Sequence, residues 1–205
     1  MIQKAEKVSV YIDGFNLYFG MISKYEHTKW LNIEALSEAL LKPNQKLEDV
    51  KYFTARISNN PSKEQRQKSY IDAIKTTRVK IIFGHYKSKP KSCNRCGHSW
   101  NTNEEKMTDV NIAVNMLTDA MDDKYDIALL ISGDSDLVPP IHTIHKYFPE
   151  KRVVVAFPPN RHNNSVKNAA KGSFIIGRSK LVQSQFNEEV IGENNYIIRK
   201  PKEWI

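Results

Sequence analysis

The chain lacks any apolar run long enough to cross a membrane, which would take about 20 residues. Met1 to Lys7 hold no apolar core of a secretory signal, so the expectation is a cytoplasmic protein with no membrane partner. Cysteine is scarce: two residues in 205. That excludes a disulfide framework, and their Cys-x-x-Cys spacing points to metal or redox chemistry instead. No Gly-x-x-x-x-Gly-Lys-Ser/Thr segment occurs, so P-loop hydrolysis of a nucleoside triphosphate is set aside. Acids are outnumbered: 31 Lys and Arg against 23 Asp and Glu leave a net charge of +8. The balance favours a polyanionic partner. There is no internal repeat and no low-complexity block.

What is present alternates between short β-rich runs and helical patterns. Val8–Ile12, Val50–Ile57, Val79–Gly84, Asp126–Ile131, Arg152–Phe157 and Phe174–Ile176 read as strands. Between them, helices are expected over Leu17–Lys24, Ile33–Leu41 with Asn32 as cap, and Lys63–Thr76 with Ser62 as cap. Further helices are expected over 105–121, from Leu137 to about Tyr147, and over Ser165–Ala170. Strand-then-helix order argues for a Rossmann-like three-layer α/β/α fold around a mainly parallel sheet. Tyr86 to Thr102 breaks the pattern and reads as a small inserted hairpin. Residues 1–180 are read as one domain carrying that insertion. Residues 181–205 are read as a tail packed back on it through Trp204.

Two apolar strands end in acid and glycine: Ile12-Asp13-Gly14-Phe15-Asn16 and Ile131-Ser132-Gly133-Asp134-Ser135-Asp136. In open α/β sheets the carboxyl edge of the strands is where ligands bind. Asp134 and Asp136 repel each other there unless a cation lies between them, and a hard divalent ion serves. Helix capping and turn formation account for the same two residues equally well. A third acid separates the readings. At about 100° per residue, Asp109 falls within the arc of Ile112, Ala113, Met116, Leu117 and Ala120. A charge on a core face needs a partner or an ion, although the helix dipole also favours an acid in a first turn. Asp119 lies roughly 15 Å further along the axis and is read as a surface acid with Asp122 and Asp123. Asn111 and Asn115 are read as solvent-facing.

Three separated blocks resemble the NYN domain, most closely its LabA-like branch within the PIN-like nuclease superfamily. They are Val10-Tyr-Ile-Asp13-Gly14-Phe-Asn16-Leu17, Glu105-Lys106-x-x-Asp109-Val110, and Leu130-Ile-Ser-Gly133-Asp134-Ser135-Asp136-Leu-Val-Pro139. The resemblance covers most of residues 7–176 with the blocks in order. It implies a metal-dependent ribonuclease site formed by Asp13, Asp109, Asp134 and Asp136, with Asn16 assisting. Carboxylates are the ligands that Mg²⁺ or Mn²⁺ prefers, and such an ion activates water beside a phosphodiester. Asp13 and Asp134 are expected to bind the ion directly, with Asp109 and Asp136 acting through water.

In the insertion, Cys93-Asn-Arg-Cys96-Gly97-His98 looks like half of a zinc knuckle, which His98 and His85 would complete. A redox pair, a vestigial motif or a site completed by a second chain fits the same residues. Lys87, Lys89, Lys91 and Arg95, with Tyr86 and Trp100, offer phosphate contacts and stacking for RNA. Arg56, Lys106, Arg161 and Lys167 are further candidates, and each reads equally as a solvated charge. The leading expectation is an endoribonuclease. A non-catalytic RNA-binding or regulatory protein and a small-ester phosphatase are the alternatives. Nothing in the sequence sets the oligomeric state, and a homodimer is compatible with it.

Overall fold

The structure, a computed structural model, describes residues 5–92 and 95–204, and in the paired segments 85–91 and 100–106 the backbone alone. Strand β1 (Glu6–Asp13) leads into helix α1 (Gly14–Ile22), and α2 (Ile33–Leu40) leads into β2 (Gln45–Thr54). Asn32 caps α2 as expected, accepting from the Ala35 N–H at 3.1 Å. Helix α3 (Pro61–Ile74) starts two residues before the expected position, capped by Asn60 rather than Ser62. Pro61 supplies the fixed φ of a first helical position, so the cap moves to the residue before it. Strand β3 (Lys80–Phe83) follows.

The insertion is a hairpin, β4 (His85–Ser92) against β5 (Ser99–Lys106), antiparallel from His85↔Lys106 to Ser92↔Ser99. It is longer than expected because Glu105 and Lys106 pair as strand instead of opening the next helix. Helix α4 (Thr108–Met121) begins after Met107, whose φ of 80° turns the chain out of the hairpin. Strand β6 (Ile127–Ile131), a 3-10 turn at Ser135–Leu137, α5 (Val138–Tyr147), β7 (Arg152–Phe157), α6 (Asn164–Ala169) and β8 (Gly172–Ile175) complete the wound core. The tail holds α7 (Arg178–Gln183), which carries no clear sequence signal, and the short pair β9 (Glu189–Ile191) and β10 (Ile197–Arg199).

The main sheet runs β3-β2-β1-β6-β7-β8, and every pairing in it is parallel. Strand order reverses between β1 and β6, which makes their carboxyl ends the switch point. The alternation of strand side chains assigns two cores. Val10, Ile12, Tyr52 and Leu129 pack on one face beneath α1, α2, α3 and α7. Tyr11, Phe53, Ala128 and Leu130 pack on the other beneath α4, α5 and α6. Trp204 reaches the first core and meets Trp30 at 6.2 Å and Tyr70 at 5.8 Å between ring centroids. Among the described residues no helix is long and apolar enough to cross a membrane.

One reading of the sequence is overturned inside the second core. Asp119 is not a surface acid: it is 2% exposed. It pairs with Lys51 of β2, accepts from the Tyr11 hydroxyl at 2.7 Å, and meets Lys124 at 3.2 Å. Burial alone would raise its carboxyl, but the Lys51 and Tyr11 hydrogen bonds hold it below the ordinary range. Asn115 is likewise half-buried, and its Oδ1 accepts from Lys51 Nζ at 3.1 Å. A helix position that looks polar-faced in isolation is buried here by a lysine from a distant strand.

Candidate metal centre

Asp13 ends β1 at the switch point and is 5% exposed. Its carboxylate caps α1, with Oδ1 accepting from the Asn16 N–H at 2.9 Å and Oδ2 from the Ser132 hydroxyl at 2.9 Å. Burial pushes its pKa up, the two hydrogen bonds oppose that, and the Asp134 charge adds to it. Ser132, at the end of β6, is wholly buried and bridges both acids, because its Oγ also accepts from the Asp134 N–H at 3.1 Å. Asp134 then folds back on its own turn, its Oδ1 accepting from the Asp136 N–H at 2.9 Å.

The turn after β6 has no room for a side chain at position 133. A Cβ on Gly133 would lie 1.8 Å from the Arg161 carbonyl oxygen. The Gly133 N–H donates to Asn16 Oδ1 at 3.0 Å. Asn16 therefore joins the turn after β1 to the turn after β6 and sets the two acids against each other.

Helix α4 brings the third acid. Asp109 sits in its first turn, half-buried, at the same sheet edge. Burial and the charges of Asp134, Asp13 and Asp136, in that order, raise its pKa to about 6. One oxygen from each of Asp13, Asp109 and Asp134 lies within 4.8 Å of the other two. Three hard oxygen donors at that spacing, mutually repelling and partly desolvated, fit a divalent cation. Asp136 is exposed and stands outside this group, though its charge is felt at Asp109.

The other expected residues scatter. Arg161 is close by: its backbone abuts Gly133 and its guanidinium lies 5.9 Å from the Phe19 ring centroid on α1. Arg56 stacks over Phe83 at 4.6 Å, on the far side of β2 from the switch point. Lys106 ends β5 and is not one turn ahead of Asp109 on a helix. Lys87, Lys89 and Lys91 occupy alternate positions of β4, opposite Glu104, Thr102 and Trp100, and Arg95 is exposed in the turn beyond. Cys93 lies outside the described residues, while Cys96 and His98 are exposed. His85 stands at the base of the hairpin, roughly 23 Å from the tip at ~3.3 Å per residue. It is too far away to share an ion with Cys96. Ser132 also contributes to the site, through its bonds to Asp13 and the Asp134 turn. Its only signal is its place between a buried strand and the acid turn.

Over 97% of its length this chain is 25% identical to 6-hydroxy-3-succinoylpyridine 3-monooxygenase HspA of Pseudomonas putida, of which it covers 75%. Its fold is similar to the crystal structure of a protein of unknown function from Vibrio parahaemolyticus, with a TM-score of 0.56 at 21% identity. That match covers 87% of this chain and 97% of the other. The NYN domain family matches residues 7–180. With three carboxylates gathered at the switch point of a doubly wound sheet, the chain belongs to the NYN domain family of PIN-like nucleases.

Proposed function

We propose that this chain is a metal-dependent endoribonuclease. The observation that carries the reading is the convergence of Asp13, Asp109 and Asp134 from three separate elements at one sheet edge. Asp13 and Asp134 would hold Mg²⁺ or Mn²⁺ directly, with Asp109 completing the set and Asp136 acting through water. When bound, such an ion offsets phosphate charge and makes water a better nucleophile at neutral pH.

The chain's own residues supply position. Ser132 and Asn16 lock the orientation of the acids before substrate arrives, so little reorganisation remains at the moment of reaction. Arg161, exposed beside the Gly133 turn, provides a cation for an RNA phosphate. Lys87, Lys89 and Lys91, at alternate positions of β4, are proposed as further phosphate contacts. The three motif blocks favour the LabA-like branch. Zinc held by Cys93, Cys96 and His98 remains a separate proposal, checked by elemental analysis of protein purified without chelator.

Labelled single-stranded RNA incubated with purified protein and Mn²⁺ or Mg²⁺ tests the reading. Cleavage should vanish with EDTA and in Asp134→Asn. RNA binding retained without cleavage in any metal would favour a regulatory RNA-binding protein. The name of the Pseudomonas relative describes oxygenation of a pyridine, a different reaction class. Oxygen uptake with that pyridine, and none of the RNA cleavage, would overturn the nuclease reading.

A further inference from the structure

On the α1 face of the sheet lies a cavity of about 440 Å³. Such a volume suits one nucleoside-sized group, since small-molecule sites run from about 300 to 1,000 Å³. It starts at Gly14 and Phe15, the two residues between Asp13 and Asn16, and so adjoins the acid centre along the backbone of α1. Its walls are aromatic: Phe15 and Tyr18 from α1, Tyr52 from β2, Tyr70 from α3, and Trp204 from the tail. Tyr52 and Tyr70 stand edge to face at 6.4 Å, and Tyr70 meets Trp204 in the same way at 5.8 Å, so this side of the cavity is rigid. Tyr18, at 36% exposure, and Phe19, at 46%, are its accessible rings. The charged residues lining it are all cations. Lys63 is exposed, Lys29 is half-buried, and Arg66 is shared with Glu203 at 3.1 Å.

A purely apolar partner would gain nothing from a cationic rim, and a free phosphate would gain nothing from aromatic walls. A nucleotide uses both: the base stacks on rings and the backbone phosphate meets the cations. We propose that this cavity receives a base of a single-stranded RNA substrate, next to the phosphate addressed by Asp13, Asp109 and Asp134. The inference rests on the nuclease reading and adds to it a base-binding subsite on the α1 face. A duplex cannot present a base to a cavity without unstacking it. Gly14 is part of the arrangement, since a Cβ there would lie 2.7 Å from the Tyr52 ring and from the Phe53 carbonyl oxygen. A side chain at that position would push the start of α1 away from β2 and the Tyr52 wall of the cavity.

The test uses the full chain carrying Asp134→Asn, so that RNA is bound and not consumed. A fluorescent eight-nucleotide RNA containing 4-thiouridine is titrated by anisotropy, then crosslinked with ultraviolet light and mapped. Tyr18→Ala and Lys63→Glu, both at exposed positions, should each weaken binding of the single strand by about tenfold. Binding of a duplex RNA of matched length should be unchanged. Crosslinks should fall on Phe15, Tyr18 or the 63–70 segment. Circular dichroism melts of both variants should match the parent, which separates lost contacts from lost folding.

Unchanged affinity in both variants, or crosslinks confined to the 85–106 hairpin, would overturn the inference. Saturable binding of a small pyridine carboxylate that excludes no RNA would also overturn it, in favour of a metabolite cavity. The outcomes are separable from those of the cleavage assay. Cleavage without any effect of the cavity variants removes this inference alone. Cavity crosslinks in a protein that never cleaves remove the nuclease reading and keep the RNA site.

Discussion

Asn16 accepts a hydrogen bond from the backbone N–H of Gly133 at 3.0 Å, across 117 residues of chain. The bond holds the turn after β1 against the turn after β6, and with them Asp13 and Asp134. Asn16→Ala leaves that N–H without its acceptor, at a cost of about 1 kcal/mol for a partly buried donor. Mn²⁺ affinity should fall with it, because the two carboxylates lose their fixed spacing. Asn16→Asp keeps an acceptor oxygen and should recover more of the affinity than Ala. Isothermal titration of Mn²⁺ into the three proteins, with melting curves, checks both statements.

Asp109 makes the metal-free protein sensitive to pH. Its folded pKa is about 6, against about 3.9 in an unfolded chain. Between those values the folded state binds more protons than the unfolded one. Stability from this group is therefore highest below about pH 4, falls as pH rises, and stays low above about pH 6. Asp109→Asn should raise the melting temperature at pH 7 in EDTA, flatten the dependence across that window, and abolish cleavage. Added Mn²⁺ should stabilise the parent at pH 7 more than the variant. Thermal melts from pH 4 to pH 8, with and without EDTA, decide it.

Lys51 and Asp119 form a buried pair whose halves are not independent. Lys51→Met leaves a carboxylate in the core with Tyr11 and Lys124 as its remaining polar contacts. A loss of about 3 kcal/mol is expected, a fall of roughly 6–12 °C in Tm. Lys51→Met combined with Asp119→Leu should recover much of that loss, because both charges leave together. A double-mutant cycle by urea unfolding measures the coupling, and additive losses would contradict it.

Gly133→Ala forces a methyl group into the carbonyl oxygen and carbon of Arg161, which belong to backbone and cannot swing aside. The β7–α6 loop or the acid turn must move. Stability should fall by about 1–3 kcal/mol, and Mn²⁺ affinity should fall further than in a surface control such as Ser135→Ala. Calorimetry that shows full affinity in Gly133→Ala would mean that the turn tolerates displacement.

Much of the fold was legible because it is written locally. Val8–Ile12 and Asp126–Ile131 are short apolar runs that end in acid and glycine, and the alternation of strand and helix specifies a parallel sheet. Asp109 stood out as a core-facing acid from its position on the apolar arc of α4. Where the sequence misled, a local preference lost to a distant partner. Glu105 and Lys106 favour helix, yet they pair with Tyr86 and His85 as strand. The 4.8 Å spacing of the three acids, the bridge made by Ser132, and the cavity closed by Trp204 depend on segments far apart in the chain. The sequence by itself determined which residue types stand at which strand ends. The tertiary structure alone decided how closely they meet and which charges are buried. Proximity between distant segments follows from packing of the whole sheet, and burial of Asp119 follows from a lysine 68 residues away.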